Sequence, residues 1–291
     1  MNLSSVSQKG QETYRRLCIP VKTDVKLDSV ILSDENEYKL NEFITERENQ
    51  KKFAGLGLDV MNRLLLYGAS GTGKTYLTRA IATYFNVPLL QMDVSKIKAE
   101  DLSQSLTDIF ALAQELGKVV IFIDECDSIC WSRDDKDNKD DAAVRRANNT
   151  LFQLLDQLNE EAIFVSATNL YENLDPAFVR RFNIKMKFLA PKIDNFGLAV
   201  KKFIGRAFSY EEDMMPDVRA IVDFQARNFS RMSYYQIKDW VQRAEKVAII
   251  NNTTRIKESA IYDQLMKEMR IEVKYDSESK PYLHQYGVQS K

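Results

Sequence analysis

One eight-residue stretch, GASGTGKT at positions 68–75, constrains the fold of this chain more than any other. It matches the P-loop pattern GxxxxGK[ST]. The apolar run 63–67 before it predicts a strand, and the amphipathic run 76–85 after it predicts a helix. A strand, a glycine-rich loop and a helix are the context that this motif requires. The glycines allow backbone N–H groups to turn towards a phosphate, and the helix N-terminus adds a positive dipole.

The same motif assigns roles to two side chains. Lys74 is expected to reach the β- and γ-phosphates of a nucleotide, and the Thr75 hydroxyl is expected to hold Mg²⁺. The alternative is a glycine-rich turn with a surface lysine. The predicted nucleotide-binding residues are Gly68, Ala69, Ser70, Gly71, Thr72, Gly73, Lys74, Thr75 and Tyr76.

A second pattern combines a strand with two carboxylates. The apolar run Val119–Ile123 predicts a strand buried on both faces, and Asp124 and Glu125 follow it directly. Ligands of an open parallel sheet bind at the carboxyl ends of its strands, so we expect both carboxylates near the glycine-rich loop. Asp124 would then belong to the Mg²⁺ shell, and Glu125 would polarise the attacking water. The alternative is a strand that simply ends in an acidic turn.

Composition limits the classes of function. The chain has 291 residues, a net charge of −1, three cysteines and one histidine. The near-neutral charge argues against nucleic-acid binding through a global basic field. The cysteines predict reduced thiols rather than disulfides or zinc, and a single histidine excludes HExxH protease sites. No apolar run approaches the roughly 18 residues of a membrane helix, and the start lacks a signal-peptide pattern. We therefore expect a cytoplasmic protein without membrane insertion.

The patterns divide the chain into four parts. Residues 1–25 are polar without sustained periodicity, which predicts a flexible N-terminal segment. We expect an α/β domain over residues 26–191 and a separate all-α domain over residues 192–272, where every periodic stretch is helical. Residues 273–291 predict a polar C-terminal tail. The mixed-charge run 132–141 predicts an exposed loop.

Polar side chains also follow a later buried strand. The run Ala162–Ala167 predicts this strand, and Thr168 and Asn169 come next. Asn169 could orient the water beside Glu125, or it could begin a turn, and the residue types leave both interpretations open.

Four motifs together resemble one family. The segments GASGTGKT, VVIFIDE, SATN and LDPAFVRRF, in this order and spacing, are similar to those of AAA-class ATPases. The resemblance covers roughly residues 28–250. It implies a P-loop NTPase αβα sandwich with a five-stranded parallel sheet, followed by a small all-α lid domain. It also implies Mg²⁺-dependent ATP hydrolysis between the subunits of a homo-oligomeric ring, usually a hexamer.

The resemblance assigns further residues, position by position. Asn169 matches the sensor-1 residue of the family. Arg180 and Arg181 match the arginine pair that reaches into the site of a neighbouring subunit, and the alternative for this pair is surface salt bridging. An arginine supplied in trans can raise the rate of phosphoryl transfer by roughly 10³–10⁵. Arg145 and Arg146, ahead of a predicted helix, match the family's second interface arginine element more loosely.

Two departures from the family bear on function. Ser233-Tyr234 stands where the lid of the family carries Ser-Gly beside the adenine, and Arg231 is an alternative candidate for a sensor-2 arginine. The loop 95–101 lacks the aromatic residue and the glycine by which threading members grip a polypeptide. Ile97 is then the candidate pore-facing residue.

These observations leave two functions open. The first is a ring-forming ATPase that remodels or unfolds a protein partner. The second is an ATP-dependent assembly switch that threads no polymer. A nucleic-acid-associated loader, touching a backbone through Lys96 and Lys98, is a variant of the second. The near-neutral net charge argues against that variant.

Overall fold

The chain divides into two units, Met1–Phe188 and Leu189–Lys291. Its structure is a computed structural model that describes residues 6–131, 142–227, 229 and 232–285. The exposed loop predicted over residues 132–141 lies outside the described residues. None of the described helices combines the length and the apolarity that crossing a membrane requires.

A six-stranded sheet forms the centre of the described part of the first unit. Its strands are β1 (Cys18–Ile19), β2 (Arg63–Gly68), β3 (Leu89–Met92), β4 (Val120–Ile123), β5 (Ile163–Thr168) and β6 (Ile184–Phe188). Their order is β1-β3-β4-β5-β2-β6. The last five strands in this order are parallel, which confirms the predicted five-stranded parallel sheet. β1 adds an antiparallel edge strand beside β3.

Helices cover both faces of this sheet and make the unit the predicted αβα sandwich. They are α1 (Gln8–Leu17), α2 (Asp34–Glu48), α3 (Gln50–Ala54), α4 (Lys74–Tyr84), α5 (Leu102–Leu116), α6 (Ala142–Asp156) and α7 (Pro176–Val179). Leu64 and Leu66 of β2 pack in one core with α2 and α4, whereas Leu65 packs in a second core with α5 and α6. Alternate side chains of a strand point to opposite faces, so a strand covered on both sides is a continuous apolar run.

Residues 8–19 form α1 and β1, in contrast to the flexible segment predicted for residues 1–25. The helix lies against α5, where Arg16 Nη2 donates a hydrogen bond to Asp108 Oδ2 (2.6 Å). Leu17 is one of only three buried residues of α1, so the sequence shows no apolar stripe there. Contacts with a distant segment, rather than local periodicity, stabilise this helix.

The second unit contains the predicted helical lid together with four short strands among its described residues. Its helices are α8 (Phe196–Phe203), α9 (Pro216–Ala226), α10 (Tyr234–Ile250) and α11 (Glu258–Met269). Its strands are β7 (Ser209–Glu211), β8 (Arg255–Lys257), β9 (Ile271–Tyr275) and β10 (Pro281–Gln285). β7 and β8 pair in parallel, and β9 and β10 form an antiparallel hairpin. The hairpin extends into the polar tail predicted over 273–291. Such short strands give no reliable periodic signal in a sequence.

Candidate active site

The loop between β2 and α4 has a backbone conformation that favours glycine. Gly68, Gly71 and Gly73 have φ angles of +136°, +73° and +108°. A Cβ atom on Gly68 would lie 2.0 Å from the carbonyl oxygen of Phe188, so no side chain fits there without backbone movement. The glycines therefore form a tight loop that ends at the N-terminus of α4, where free backbone N–H groups can bind an anion.

Lys74 lies at the start of α4 and is 7% exposed. Its Nζ donates to the carbonyl oxygens of Gly68 (2.7 Å) and Ala69 (2.9 Å) and to Oδ1 of Asn169 (2.7 Å). Burial lowers the pKa of this ammonium below its ordinary value of 10.5, and the charge of Asp124 acts in the opposite direction. The ammonium thus joins the loop to the end of β5, and its three N–H donors suit phosphate oxygens.

A second hydrogen bond joins the loop to the end of β4. Thr75 Oγ1 donates to Asp124 Oδ2 over 2.9 Å. A hydroxyl and a carboxylate are the hard oxygen ligands that Mg²⁺ prefers, usually together with waters and substrate phosphates. The two residues predicted to hold the metal are therefore adjacent and chemically suited to it.

Glu125 follows Asp124 and is exposed. Its backbone is left-handed, with φ 51° and ψ 45°. A non-glycine residue in this region costs roughly 1–2 kcal/mol and is often found at functional sites. The Glu125 N–H donates to Asp124 Oδ1 (3.0 Å), and its carbonyl accepts a hydrogen bond from Ser128 Oγ (2.8 Å). These bonds hold the backbone and leave the side chain exposed, where it can reach a water molecule.

The other predicted loop residues occupy varied environments. Thr72 is 2% exposed and donates its hydroxyl to the Ala69 carbonyl (2.7 Å), so its side chain braces the loop from inside. Ser70 is exposed. The Tyr76 hydroxyl lies 3.0 Å from Ser29 Oγ, which links α4 to a short 3-10 helix earlier in the chain.

The two adjacent arginines differ in their surroundings. Arg181 Nε and Nη2 donate to the two carboxylate oxygens of Asp156 (3.0 and 2.9 Å), and Nη1 donates to the Ala177 carbonyl (2.7 Å). The guanidinium carbon also lies 4.4 Å from the centre of the Phe152 ring. Arg180 is exposed and forms no ion pair with any described residue. Of the two, Arg180 is the one whose side chain can extend towards another molecule.

Four further predicted residues lie in α6, at the start of α10 or outside the described residues. Arg145 and Arg146 are exposed within α6, not ahead of it. Ser233 is the N-cap of α10: its Oγ accepts from the Gln236 N–H (3.2 Å), and Gln236 Oε1 accepts from the Ser233 N–H (2.9 Å). This capping box accounts for the serine by local structure. Arg231, the alternative sensor-2 candidate, lies outside the described residues.

The loop after β3 exposes charged rather than apolar side chains. Ile97 is partly buried and packs against the core that contains α5 and α6, so it is directed into its own unit. Lys96 Nζ forms an ion pair with Asp93 Oδ2 (2.6 Å), and Lys98 is exposed. Ile97 therefore does not present the free apolar side chain expected of a pore-facing residue.

The sequence motifs assigned no role to two residues beside the site. Thr168, the last residue of β5, is hydrogen-bonded to Asp127, which lies in the turn after Glu125. The sequence showed only that Thr168 is a polar residue at the end of a buried strand and that Asp127 is a third acidic residue shortly after Asp124 and Glu125. Neither feature implies a contact between segments so distant in the sequence.

Comparison with known proteins identifies relatives of this chain. The model of the ATPase family associated with various cellular activities (AAA) matches residues 64–189. Proteasome-activating nucleotidase 2 of Haloferax volcanii is 32% identical over 58% of this chain and 43% of its own length. The 26S proteasome regulatory subunit 6A of Encephalitozoon cuniculi is 30% identical over 79% of this chain and 57% of its own. Proteasome-activating nucleotidase of Sulfurisphaera tokodaii is 30% identical over 86% of this chain and 67% of its own length. The chain spans about half the length of the first two relatives.

Proposed function

The chain belongs to the AAA family of ATPases, and we propose that it hydrolyses ATP in the site at the carboxyl ends of β2, β4 and β5. One observation carries this proposal. Two consecutive residues at the start of α4 donate hydrogen bonds to the ends of two neighbouring strands, Lys74 to Asn169 Oδ1 and Thr75 to Asp124 Oδ2. Phosphate-binding, metal-binding and water-orienting groups therefore lie side by side, as phosphoryl transfer to water requires.

In this proposal each side chain has one task. Lys74 and the backbone N–H groups at the start of α4 bind the phosphates of ATP. Thr75 and Asp124 would hold Mg²⁺, which when bound neutralises charge on the phosphate oxygens. Glu125 accepts the proton of the attacking water, and Asn169 orients that water.

We place the site between subunits of a homo-oligomeric ring. Arg180 supports this arrangement, because it is exposed and unpaired among the described residues and so is free to stabilise charge in the site of a neighbour. Exposed Arg145 and Arg146 on α6 offer a second set of charges for the same interface. Arg181, which is bound to Asp156, would hold the Arg180 segment in place.

The partner that we propose is a protein. Relatives of the chain are named proteasome-activating nucleotidases and a proteasome regulatory subunit, which supports a role in remodelling or unfolding polypeptides. The packing of Ile97 favours a second candidate, an assembly switch in which ATP controls docking without threading. Casein can serve as an unfolded probe. Threading predicts that casein stimulates ATP turnover, whereas a switch predicts no response to casein.

The first test of the ATPase proposal is the Glu125→Gln protein. We expect it to bind ATP with an affinity close to that of the wild type and to release phosphate at least about 10²-fold more slowly, because the general base is lost. Lys74→Ala should lose ATP binding. Glu42→Gln, an exposed change on α2, is the matched control and should leave both properties unchanged. Phosphate release by Glu125→Gln at the wild-type rate would contradict the assignment of the base.

The ring is tested with the same protein by light scattering coupled to size exclusion. With ATP and Mg²⁺, we expect Glu125→Gln to move from a monomer to a closed assembly of about six subunits. A monomer in both conditions would contradict the proposed ring.

A further inference from the structure

The turn after β5 is held by a charge-assisted hydrogen bond to the turn after Glu125. Thr168 is 1% exposed, and its Oγ1 donates to Asp127 Oδ1 over 2.5 Å. The same oxygen accepts a hydrogen bond from the Leu170 N–H (2.8 Å). A hydroxyl has a single hydrogen to donate, and Asp127 uses it. The backbone is therefore held on both sides of Asn169, the residue between these two anchors.

Asp127, the acceptor of this hydrogen bond, lies in a turn that further hydrogen bonds stabilise. Asp127 is the middle residue of a 3-10 helix, Cys126–Ser128, that follows Glu125. Ser128 donates both its N–H (3.0 Å) and its hydroxyl (2.8 Å) to the Glu125 carbonyl. A displacement of this turn would thus move the proposed base and, through the Thr168 hydroxyl, the turn after β5.

Two more contacts tie the turn after β5 to the glycine-rich loop. The Tyr171 ring stacks on Tyr67 with centroids 4.1 Å apart and planes 26° apart, and Tyr67 immediately precedes Gly68. Asn169 Oδ1 accepts its hydrogen bond from Lys74 Nζ. The turn therefore contacts the lysine and the strand of the phosphate-binding loop as well as the turn behind the base.

We propose that Asp127 and Thr168 are positioning residues that hold the Asn169 amide at Lys74 Nζ and so set the geometry of the catalytic groups. The inference rests on the proposed function, because it gives this hydrogen-bonded pair a part in ATP hydrolysis. Neither side chain is required to touch the nucleotide. Displacing a catalytic group by about 1 Å can lower the rate roughly 10²-fold. Loss of the hydrogen bond between Thr168 and Asp127 could therefore slow hydrolysis by letting Asn169 shift.

The test measures kcat and KM for ATP in variants of the pair. Thr168→Val removes the hydroxyl and keeps the shape, and Asp127→Ala removes the acceptor. We expect either change to lower kcat by about 10-fold or more with KM within about twofold, and Thr168→Ser to restore kcat. Ser166→Ala is the matched control, since Ser166 is a fully buried hydroxyl on the same face of β5 whose Oγ lies 3.4 Å from the Ile123 carbonyl. This control should leave kcat unchanged.

A double-mutant cycle separates positioning from general stability. If Thr168 acts through Asn169, the protein carrying both Thr168→Val and Asn169→Ala should be no slower than Asn169→Ala alone. Rate losses that multiply would overturn the proposal. A Thr168→Val protein with a lowered melting temperature and an unchanged kcat would overturn it as well, because the bond would then serve stability only.

A second readout needs no hydrolysis. In ¹⁵N-edited NMR spectra, the Asn169 side-chain amide resonance can be assigned by its loss in Asn169→Ala. We expect it to move in Thr168→Val and Asp127→Ala and to stay in place in Ser166→Ala. Wild-type protein that does not hydrolyse ATP would refute the proposed function, whereas an unmoved resonance in both variants would refute the positioning role.

Discussion

The contrast between Arg180 and Arg181 leads to the sharpest prediction. Replacing Arg181 by alanine removes a bidentate ion pair with Asp156, in which the Arg181 side chain is 21% exposed and the Asp156 side chain is 53% exposed. Such a partly exposed pair contributes about 0.5–1 kcal/mol, and the guanidinium over the Phe152 ring contributes about 0.5–1 kcal/mol more. We expect Arg181→Ala to lower the free energy of unfolding by about 1–2 kcal/mol, and Arg180→Ala to change it by less than about 0.5 kcal/mol.

For ATP turnover we expect the opposite order, with the larger effect from Arg180→Ala. If Arg180 acts in the site of a neighbouring subunit, Arg180→Ala should lower ATP turnover by about 10³-fold, and Arg181→Ala should lower it by less than about 10-fold. Mixing Arg180→Ala with Lys74→Ala subunits should restore part of the turnover, because each supplies what the other lacks. Thermal unfolding followed by circular dichroism gives the stability, and phosphate release gives the turnover.

Asp156→Ala is the control for this prediction. It removes the same ion pair but retains Arg181 and its contact with Phe152, so it should lose about 0.5–1 kcal/mol of stability and keep its turnover. The reasoning is refuted if Arg181→Ala slows ATP turnover as strongly as Arg180→Ala while its melting temperature stays at the wild-type value.

Three other predictions follow from the same structure. Gly68→Ala should destabilise the protein by about 3 kcal/mol or more in thermal unfolding, because its Cβ would lie 2.0 Å from the Phe188 carbonyl oxygen. Gly57→Ala, also at positive φ but with nothing within 4 Å, should lose only about 1–2 kcal/mol. Because burial lowers the Lys74 pKa below 10.5, titration calorimetry should show ATP affinity falling at a lower alkaline pH than an ordinary lysine would give, as the ammonium loses its charge. Lys74→Arg should show no such fall. Burial raises the pKa of Cys126 to about 12, so a disulfide reagent should modify this thiol only after denaturation, and rapid labelling of the native protein would contradict its packing.

Most of the site's individual parts could be predicted from the sequence because their determinants are local. The glycine spacing of the loop at 68–75 specifies positive φ angles, and the structure shows them at Gly68, Gly71 and Gly73. The apolar run before Asp124 is β4, whose residues are all buried. The runs that form β2, β4 and β5 were expected, since a strand covered by helices on both faces has a continuous apolar sequence.

Local patterns failed where docking, not periodicity, stabilises an element. Helix α1 buries Gly10, Thr13 and Leu17, of which only Leu17 is strongly apolar, so its sequence has no apolar stripe that would predict packing in a core. Ile97 was the candidate pore-facing residue because it lies in the loop by which threading members of the family grip a polypeptide. Its contact with the core depends on how the loop after β3 folds back, which neighbouring residues do not encode.

The sequence by itself thus determined the groups on which the proposed chemistry rests, namely a glycine-rich loop, two carboxylates after a buried strand and an asparagine at a strand end. Only the tertiary structure decided which of these groups meet. Lys74 and Asn169 are 95 residues apart in the chain, and Thr168 and Asp127 are 41 apart. The parallel sheet brings them together because its register aligns the carboxyl ends of β4 and β5 beside the loop after β2. Residue types specify what a side chain can bind, whereas its partner depends on strand order and register, which arise from packing over the whole unit.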